Sequence, residues 1–426
     1  MSLEKLKLSK PLNAAMLELG FLTPKEIQSK TISRILGGQD VVAVAPLGAG
    51  KTTAYVLATL MKLKYAFEEA PRALILVPDT EHMEEVLNQF NLLNRNKTMR
   101  ILGIDHNDTI ANQMNLITDG VDIIVAVPDR ARALYLKLAL NTNKIQLFII
   151  DDAQLMIKKG LQLPITELAN SAYKSQHLLF TEVLHDKIEK MMAPFMKMPA
   201  IIEIDELEES TTEIQEMLLY KLPDFKNKLY FLAYLLSDDE VFDKVLVFVE
   251  NRLTAQKVYK ALMVKDNGEV AIYNPLFADD FGFSDVEEFK QDESCRILIV
   301  ASERLDTLDC DGIPFVIHLE VPEQLNIFTD RVLKKDEQES NFITLATDIE
   351  LATVKRIEQA LGKKMVVLDL PENFTLKDGS NKNKRKDNEE PIEAQSDIQA
   401  KKAKNTKTYN YSAGQKAKMT FKNKKG

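Results

Sequence analysis

Apolar runs of four to six residues, most of them rich in β-branched side chains, recur along this chain between amphipathic stretches. The first half carries VVAVA (Val41–Ala45), ALILV (Ala73–Val77), IIVAV (Ile123–Val127), LFIID (Leu147–Asp151), HLLF (His177–Phe180) and AIIEI (Ala200–Ile204). Runs this short, without polar alternation, read as strands buried on both faces. Between them, Glu81–Leu93 and Ala131–Leu140 space their apolar residues as helices do. Strands alternating with helices predict an α/β fold with a parallel sheet covered on both sides. The rhythm breaks at DELEESTTEIQE (Asp205–Glu216), which is acidic and lacks a long apolar run. It resumes with VLVFV (Val245–Val249), EVAIY (Glu269–Tyr273), RILIVA (Arg296–Ala301), FVIHLE (Phe315–Glu320), FITLA (Phe342–Ala346) and MVVLD (Met365–Asp369). The expected layout is an N-terminal domain over 1–207, a linker over 208–218 and a second α/β domain over 219–374. Beyond Asn373 the apolar periodicity ends, and DGSNKNKRKDNEEP buries too little surface to offset chain entropy, so 375–426 is expected to be disordered.

Composition changes this picture in three places. At 426 residues, 45% hydrophobic and 28% charged, the chain is long enough for two or three soluble domains. The N-terminus has no signal-peptide layout and no apolar stretch approaches bilayer length, so no membrane association is expected. Two cysteines, Cys295 and Cys310, exclude a disulfide scaffold and a Cys-rich zinc site and suit a reducing cytoplasm. The five histidines show no ligand spacing. Net charge is −9, yet from Lys401 onward there are nine lysines and no acid, which leaves the preceding 400 residues at −18. A basic tail on an acidic body points to an anionic partner for the tail.

APLGAGKTT (Ala45–Thr53) directly follows the first run. Gly48, Ala49 and Gly50 are small enough for backbone N–H groups to approach phosphate oxygens, and the helix that follows aims its N-terminal dipole at the anion. Lys51 supplies a point charge for β- and γ-phosphates. Thr52 supplies a hydroxyl for Mg²⁺, and Thr53 follows it in the same turn. A Gly-rich strand-to-helix turn is the plainer reading of the same residues. In FIIDDAQ (Phe148–Gln154) a buried run ends in Asp151 and Asp152, and a single carboxylate such as Asp151 suffices for Mg²⁺, which keeps several waters. In the tail, lysines including Lys401 and Lys402 interleave with Tyr409, Tyr411 and Phe421, a combination that neutralises phosphates and stacks on bases.

Taken in order and spacing, these segments resemble the DEAD-box RNA helicases, superfamily-2 enzymes with two tandem RecA-like domains. The resemblance spans roughly residues 1–370. GFLTPKEIQ (Gly20–Gln28) resembles the adenine-reading Q motif, which implies that Gln28 binds the adenine edge with Phe21 packing nearby. APLGAGKTT stands for motif I, IIDDAQ for the DEAD box and FTEV (Phe180–Val183) for motif III. VPDTE (Val77–Glu81) and VPDR (Val127–Arg130) stand for RNA-backbone motifs Ia and Ib, implying RNA contacts at Pro78 and Arg130. LVFVENRLTA resembles motif IV. ASERLDTLD (Ala301–Asp309) resembles motif V, with Asp309 at the ribose. FTDRVLKKDE (Phe328–Glu337) falls where motif VI belongs, with Arg331 and Lys334 toward the nucleotide.

Several positions depart from the family. Asp152 stands for the water-activating Glu, one methylene short, and a displacement of about 1 Å can cost on the order of 100-fold in rate. Gln154 replaces the last Asp, and Thr181-Glu182-Val183 replaces Ser-Ala-Thr; a Gln154–Thr181 hydrogen bond is expected to link the two segments. Motif VI keeps only Arg331. Lys334 and Glu337 stand where two finger arginines belong, and such a finger is worth roughly 10³–10⁵ in related systems. Asp79, Thr80 and Asp129 alter the RNA-contact motifs, and no Arg lies between Tyr273 and Phe289 for the family's Gln-x-x-Arg contact. The implied function is a monomeric, cytoplasmic ATP-dependent RNA helicase or remodelling ATPase, with ATP and Mg²⁺ between its domains, RNA across both and slow turnover. A nucleotide-binding RNA or ribonucleoprotein adaptor without turnover is the alternative, and a phosphate-loop ATPase acting on DNA or protein is a third reading.

Overall fold

A computed structural model describes residues 3–63, 70–204, 216–263, 269–277, 280–303, 308, 310, 312–332 and 340–377. Two parallel sheets, both within the compact unit Met1–Thr375, organise these residues. The first is built from β1 (Val41–Val44), β2 (Ala73–Leu76), β3 (Ile101–Ile104), β4 (Ile123–Ala126), β5 (Leu147–Ile150), β6 (Gln176–Thr181) and β7 (Ala200–Glu203), in the order β3-β4-β2-β5-β6-β1-β7. The second comprises β8 (Met217–Lys221), β9 (Val245–Val249), β10 (Val270–Tyr273), β11 (Gly282–Phe283), β12 (Ile297–Ala301), β13 (Phe315–His318), β14 (Asn341–Ala346) and β15 (Val366–Leu368), in the order β11-β10-β12-β9-β13-β14-β8-β15. These are two α/β sheets, one after the other along the chain, each with helices between its parallel strands.

Alternation along β1 shows why the runs are apolar throughout. Val41 and Ala43 enter one core with Tyr55, Leu57 and Phe90, while Val42 and Val44 enter another with Ile150, Leu179 and Leu134. Every residue of β1, β2, β4, β5 and β6 is buried, as is every residue of β9 and β12 in the second sheet. Each Val, Leu or Ile so enclosed contributes roughly 1.5–3 kcal/mol.

The structure adds three strands that the apolar runs do not announce: β3, β8 and the two-residue β11. β8 begins at Met217, inside the segment assigned to the linker, most of which (208–215) lies outside the described residues. The helix expected over Ala131–Leu140 runs instead over Pro128–Leu136. Pro at its first position starts it early, and Leu138, at φ +60°, has already left helical geometry. Of the expected disordered tail, 378–426 lies outside the described residues.

Candidate nucleotide-binding site

Parallel sheets gather their ligand-binding loops at the carboxyl ends of the strands. β6 lies between β1 and β5, with Val44 opposite Thr181 and Ile150 opposite Leu179. This register brings three segments to one edge: the loop after β1, the carboxylates after β5 and Glu182-Val183 after β6.

The loop leaves β1 at Ala45, whose N–H donates to the Thr181 carbonyl at 3.0 Å. Gly50 has φ +88°, a conformation that costs an L side chain, and a Cβ there would lie 2.7 Å from Gln28 Nε2. Gln28 is buried in the helix Glu26–Leu36, and its Oε1 accepts from the Lys25 N–H at 3.0 Å. The amide expected to read adenine is therefore seated against the phosphate loop itself. Lys25 Nζ also donates to the Gly48 carbonyl. Around Gly48, at φ +79°, a Cβ would meet nothing within 4 Å, so the loop is open there, while Ala49 beside it is buried. Phe21, Leu22 and Leu47 present exposed apolar surface on these same segments.

Lys51 opens the helix Lys51–Lys62 and is buried, its Nζ donating back to the Ala45 and Pro46 carbonyls at 2.9 and 3.1 Å. Phosphate oxygens are the natural replacement for those carbonyls. Thr52 and Thr53 follow, both half-buried. Tyr55, one turn on, was not singled out by sequence. Its hydroxyl donates to Asp151 Oδ2 at 2.7 Å and also interacts with the Thr52 side chain, so it ties the two expected metal ligands together. Its ring packs on Phe180 with centroids 5.2 Å apart. Burial, then the Asp151 charge, raises the phenol well above its ordinary range and keeps it a donor.

Burial pushes the Asp151 carboxyl up to about 7, and the charge of Asp152 adds to this; the Tyr55 hydroxyl and Lys51 act against it. Two adjacent carboxylates with so little local compensation fit a divalent cation, and Thr52 and Asp151 are the residues that would hold it.

Asp152 has φ +49° and ψ 53°, a left-handed conformation that Asp tolerates better than most residues. Its Oδ1 accepts from Gln154 Nε2 at 3.1 Å, and Thr181 Oγ1 donates to Gln154 Oε1 at 2.8 Å, the link expected from sequence. Asp152 Oδ2 lies 3.8 Å from His82 Nε2, whose Nδ1 pairs with Asp79 Oδ1 at 2.6 Å. Asp79 is partly buried, yet the His82 N–H, Lys159 and the His82 ring hold its carboxyl well below the usual range. Pro78 is buried, and its carbonyl accepts from Lys159 Nζ at 3.2 Å. His82 is a second residue that sequence reading missed, because one of its two partners, Asp152, comes from a distant segment.

Two other expected residues, Arg130 and Arg331, make contacts within the protein, and the rest lie outside the described residues. Arg130 Nε donates to Gln113 Oε1 at 2.8 Å and its Nη2 to the Asp108 carbonyl, so its guanidinium is engaged within the protein. Arg331 is buried, its Cζ 3.6 Å from the centre of the Phe248 ring and its Nη2 donating to Ser302 Oγ at 3.3 Å. Burial draws its pKa down to about 10. Asp309, Lys334, Glu337 and the tail residues Lys401, Lys402, Tyr409, Tyr411 and Phe421 lie outside the described residues.

A glycine-bearing loop on a strand-to-helix turn, a buried lysine behind it and paired carboxylates two strands away make an arrangement that suits a phosphate-bearing ligand. The sequence model of the DEAD/DEAH box helicases matches residues 25–191. An "ATP-dependent RNA helicase drs1" from Aspergillus clavatus is 24% identical over 84% of this chain and 44% of its own length. An "ATP-dependent rRNA helicase RRP3" from Encephalitozoon cuniculi is 26% identical over 82% of this chain and 86% of its own. A solved DEAD box protein from Methanococcus jannaschii aligns with 87% of this chain and 99% of its own at 23% identity and a TM-score of 0.49. The chain is thus similar to the DEAD/DEAH box helicases over residues 25–191 and to ATP-dependent RNA helicases over most of its length. It spans less than half the length of the Aspergillus relative. No described helix is long and apolar enough to cross a membrane.

Proposed function

We propose that this protein is an ATP-dependent RNA-remodelling ATPase of the DEAD-box class, with slow hydrolysis. The observation that carries the reading is the junction at Tyr55, where the Thr52 helix turn and the Asp151 strand end meet beside Lys51. In this reading Lys51 leaves the Ala45 and Pro46 carbonyls for the β- and γ-phosphates, and the loop N–H groups take the remaining oxygens. Gln28 holds the adenine edge against the loop. Thr52 and Asp151 would hold Mg²⁺, which would supply positive charge against the phosphates. Asp152 orients the attacking water and receives its proton. RNA lies across both sheets and is tethered by the lysine-rich tail.

Slow turnover rests on two features. Asp152 carries its carboxylate on a short arm, and Arg331 is engaged with Phe248 and Ser302. A reducing setting is supported by Cys295 and Cys310, both buried and neither in a disulfide among the described residues.

Hydrolysis of ATP measured with and without single- and double-stranded RNA tests the reading. The expected result is slow turnover that RNA stimulates and that Lys51→Ala abolishes. Turnover that survives Lys51→Ala would overturn the site. ATP binding without any RNA-stimulated turnover would establish the adaptor instead.

A further inference from the structure

Glu182 is the least expected residue at this edge. It stands where the family has the Ala of Ser-Ala-Thr, and it is only 2% exposed. A carboxylate taken out of water needs partners on both oxygens. Gln154 Nε2 donates to Oε1 at 3.1 Å. The rest comes from Arg356, whose Nε donates to Oε2 at 2.6 Å and whose Nη2 donates to Oε1. This is the forked geometry that only arginine provides. Arg356 belongs to the helix Leu351–Leu361, which packs into the core of the second sheet through Val354 and Ile357. The fork therefore crosses from one sheet to the other.

Gln154 carries the contact onward. Its Nε2 donates also to Asp152 Oδ1 at 3.1 Å, while its Oε1 is fixed by Thr181 Oγ1 and by the Glu182 N–H at 3.3 Å. An unbroken path of hydrogen bonds thus runs from Arg356 through Glu182 and Gln154 to Asp152. Two further ion pairs between the sheets, Lys158–Glu323 at 2.6 Å and Lys355–Glu203 at 3.8 Å, have exposed carboxylates, and such pairs contribute little.

We propose that Arg356 is a positioning residue for Asp152, acting through Glu182 and Gln154, so that the candidate water-activating carboxylate is oriented only when the second sheet is docked on the first. The proposal rests on the ATPase reading above. Arg356 acts through Glu182 rather than on the reacting atoms; without it Glu182 is a buried carboxylate left with the Gln154 amide, whose Nε2 it draws away from Asp152.

The test is steady-state ATP hydrolysis by the full chain, with nucleotide affinity measured separately using a fluorescent ATP analogue. Arg356→Met is expected to lower kcat at least tenfold while KM and analogue affinity stay within about twofold. Arg356→Lys, which keeps the charge and loses the fork, is expected to recover part of the rate. In a Glu182→Ala background, Arg356→Met is expected to have no further effect, because the path is already cut. If Arg356→Met does not fold, Glu182→Gln, which keeps the shape and weakens the fork, is expected to show the same kcat-only loss. An unchanged kcat in the variant that folds, or an equal loss in the Glu182→Ala background, overturns the positioning role. Turnover that survives Lys51→Ala overturns the ATPase reading instead, and a wild-type chain without turnover overturns both.

Discussion

Asp152 carries the charge of a water-activating carboxylate on an arm one methylene shorter than Glu. Restoring that methylene should move the carboxylate outward by about 1 Å, the scale on which misplacement costs on the order of 100-fold. Asp152→Glu is therefore expected to raise kcat roughly tenfold or more, with KM for ATP nearly unchanged, in steady-state assays at saturating RNA. An unchanged kcat would remove Asp152 from the water-activating role. His318 allows a prediction independent of ATP. Its ring lies fully buried among Phe248, Phe328 and Phe342, with no hydrogen-bond partner for either nitrogen among the described residues. Burial, and after it the Arg331 charge, holds its pKa well below the ordinary histidine range. Below about pH 6.5 the unfolded chain takes up a proton that the folded ring refuses, so stability falls with pH by at most about 1.4 kcal/mol per unit. Above that pH the ring is neutral in both states and this contribution vanishes. His318→Phe should flatten the decline in urea midpoint between pH 7.5 and 5.5; a decline of unchanged slope would assign the acid sensitivity to other groups.

At the scale of elements, the turn from β1 into the helix Lys51–Lys62 is fixed by space as well as by dihedral preference. Gly50→Ala introduces a Cβ at φ +88° and presses it against Gln28. It should weaken ATP-analogue binding at least tenfold, whereas far-ultraviolet circular dichroism should remain that of the wild type. Loss of the α/β spectrum would mean that the loop contributes to folding as well as to binding. The strands flanking this turn are legible in sequence because burial on both faces forces continuous apolar runs. β3 is less so: ILGI is only half-buried, and Gly103 interrupts it where a Cβ would lie 2.8 Å from Leu87. β8 alternates burial behind an acidic segment and carries a weaker signal. The phosphate loop, Asp151 and the Gln154–Thr181 link are local motifs at recognisable spacing. Tyr55, His82 and Arg356 are not, since each acquires its role from partners dozens to more than a hundred residues away. Tyr55 alone left a usable trace, a hydroxyl one helical turn beyond Thr52.

Across the whole molecule, charge separates the body from its tail. Nine lysines without an acid follow position 400, and the first 400 residues carry −18. The segments of the first sheet expected to meet RNA add little positive potential of their own. Asp79 is held ionised beside Lys159, Asp129 pairs with His106 at 3.0 Å, and Arg130 is engaged by Gln113 and Asp108. An acidic body of this kind repels a phosphate backbone, so the tail should supply most of the electrostatic attraction. Each lysine that neutralises a phosphate of a single strand releases counterions and steepens the dependence of log K on log salt by roughly 0.7. A chain ending at residue 400 should therefore bind a single-stranded RNA at least tenfold more weakly at low salt, with a salt slope shallower by several such increments. Its affinity should approach that of the full chain as salt rises, because screening removes the advantage the tail confers. Fluorescence anisotropy across a salt series measures both quantities. Parallel salt lines for the two chains would mean that RNA is held by the sheets alone, and that the lysines serve only to keep the tail solvated.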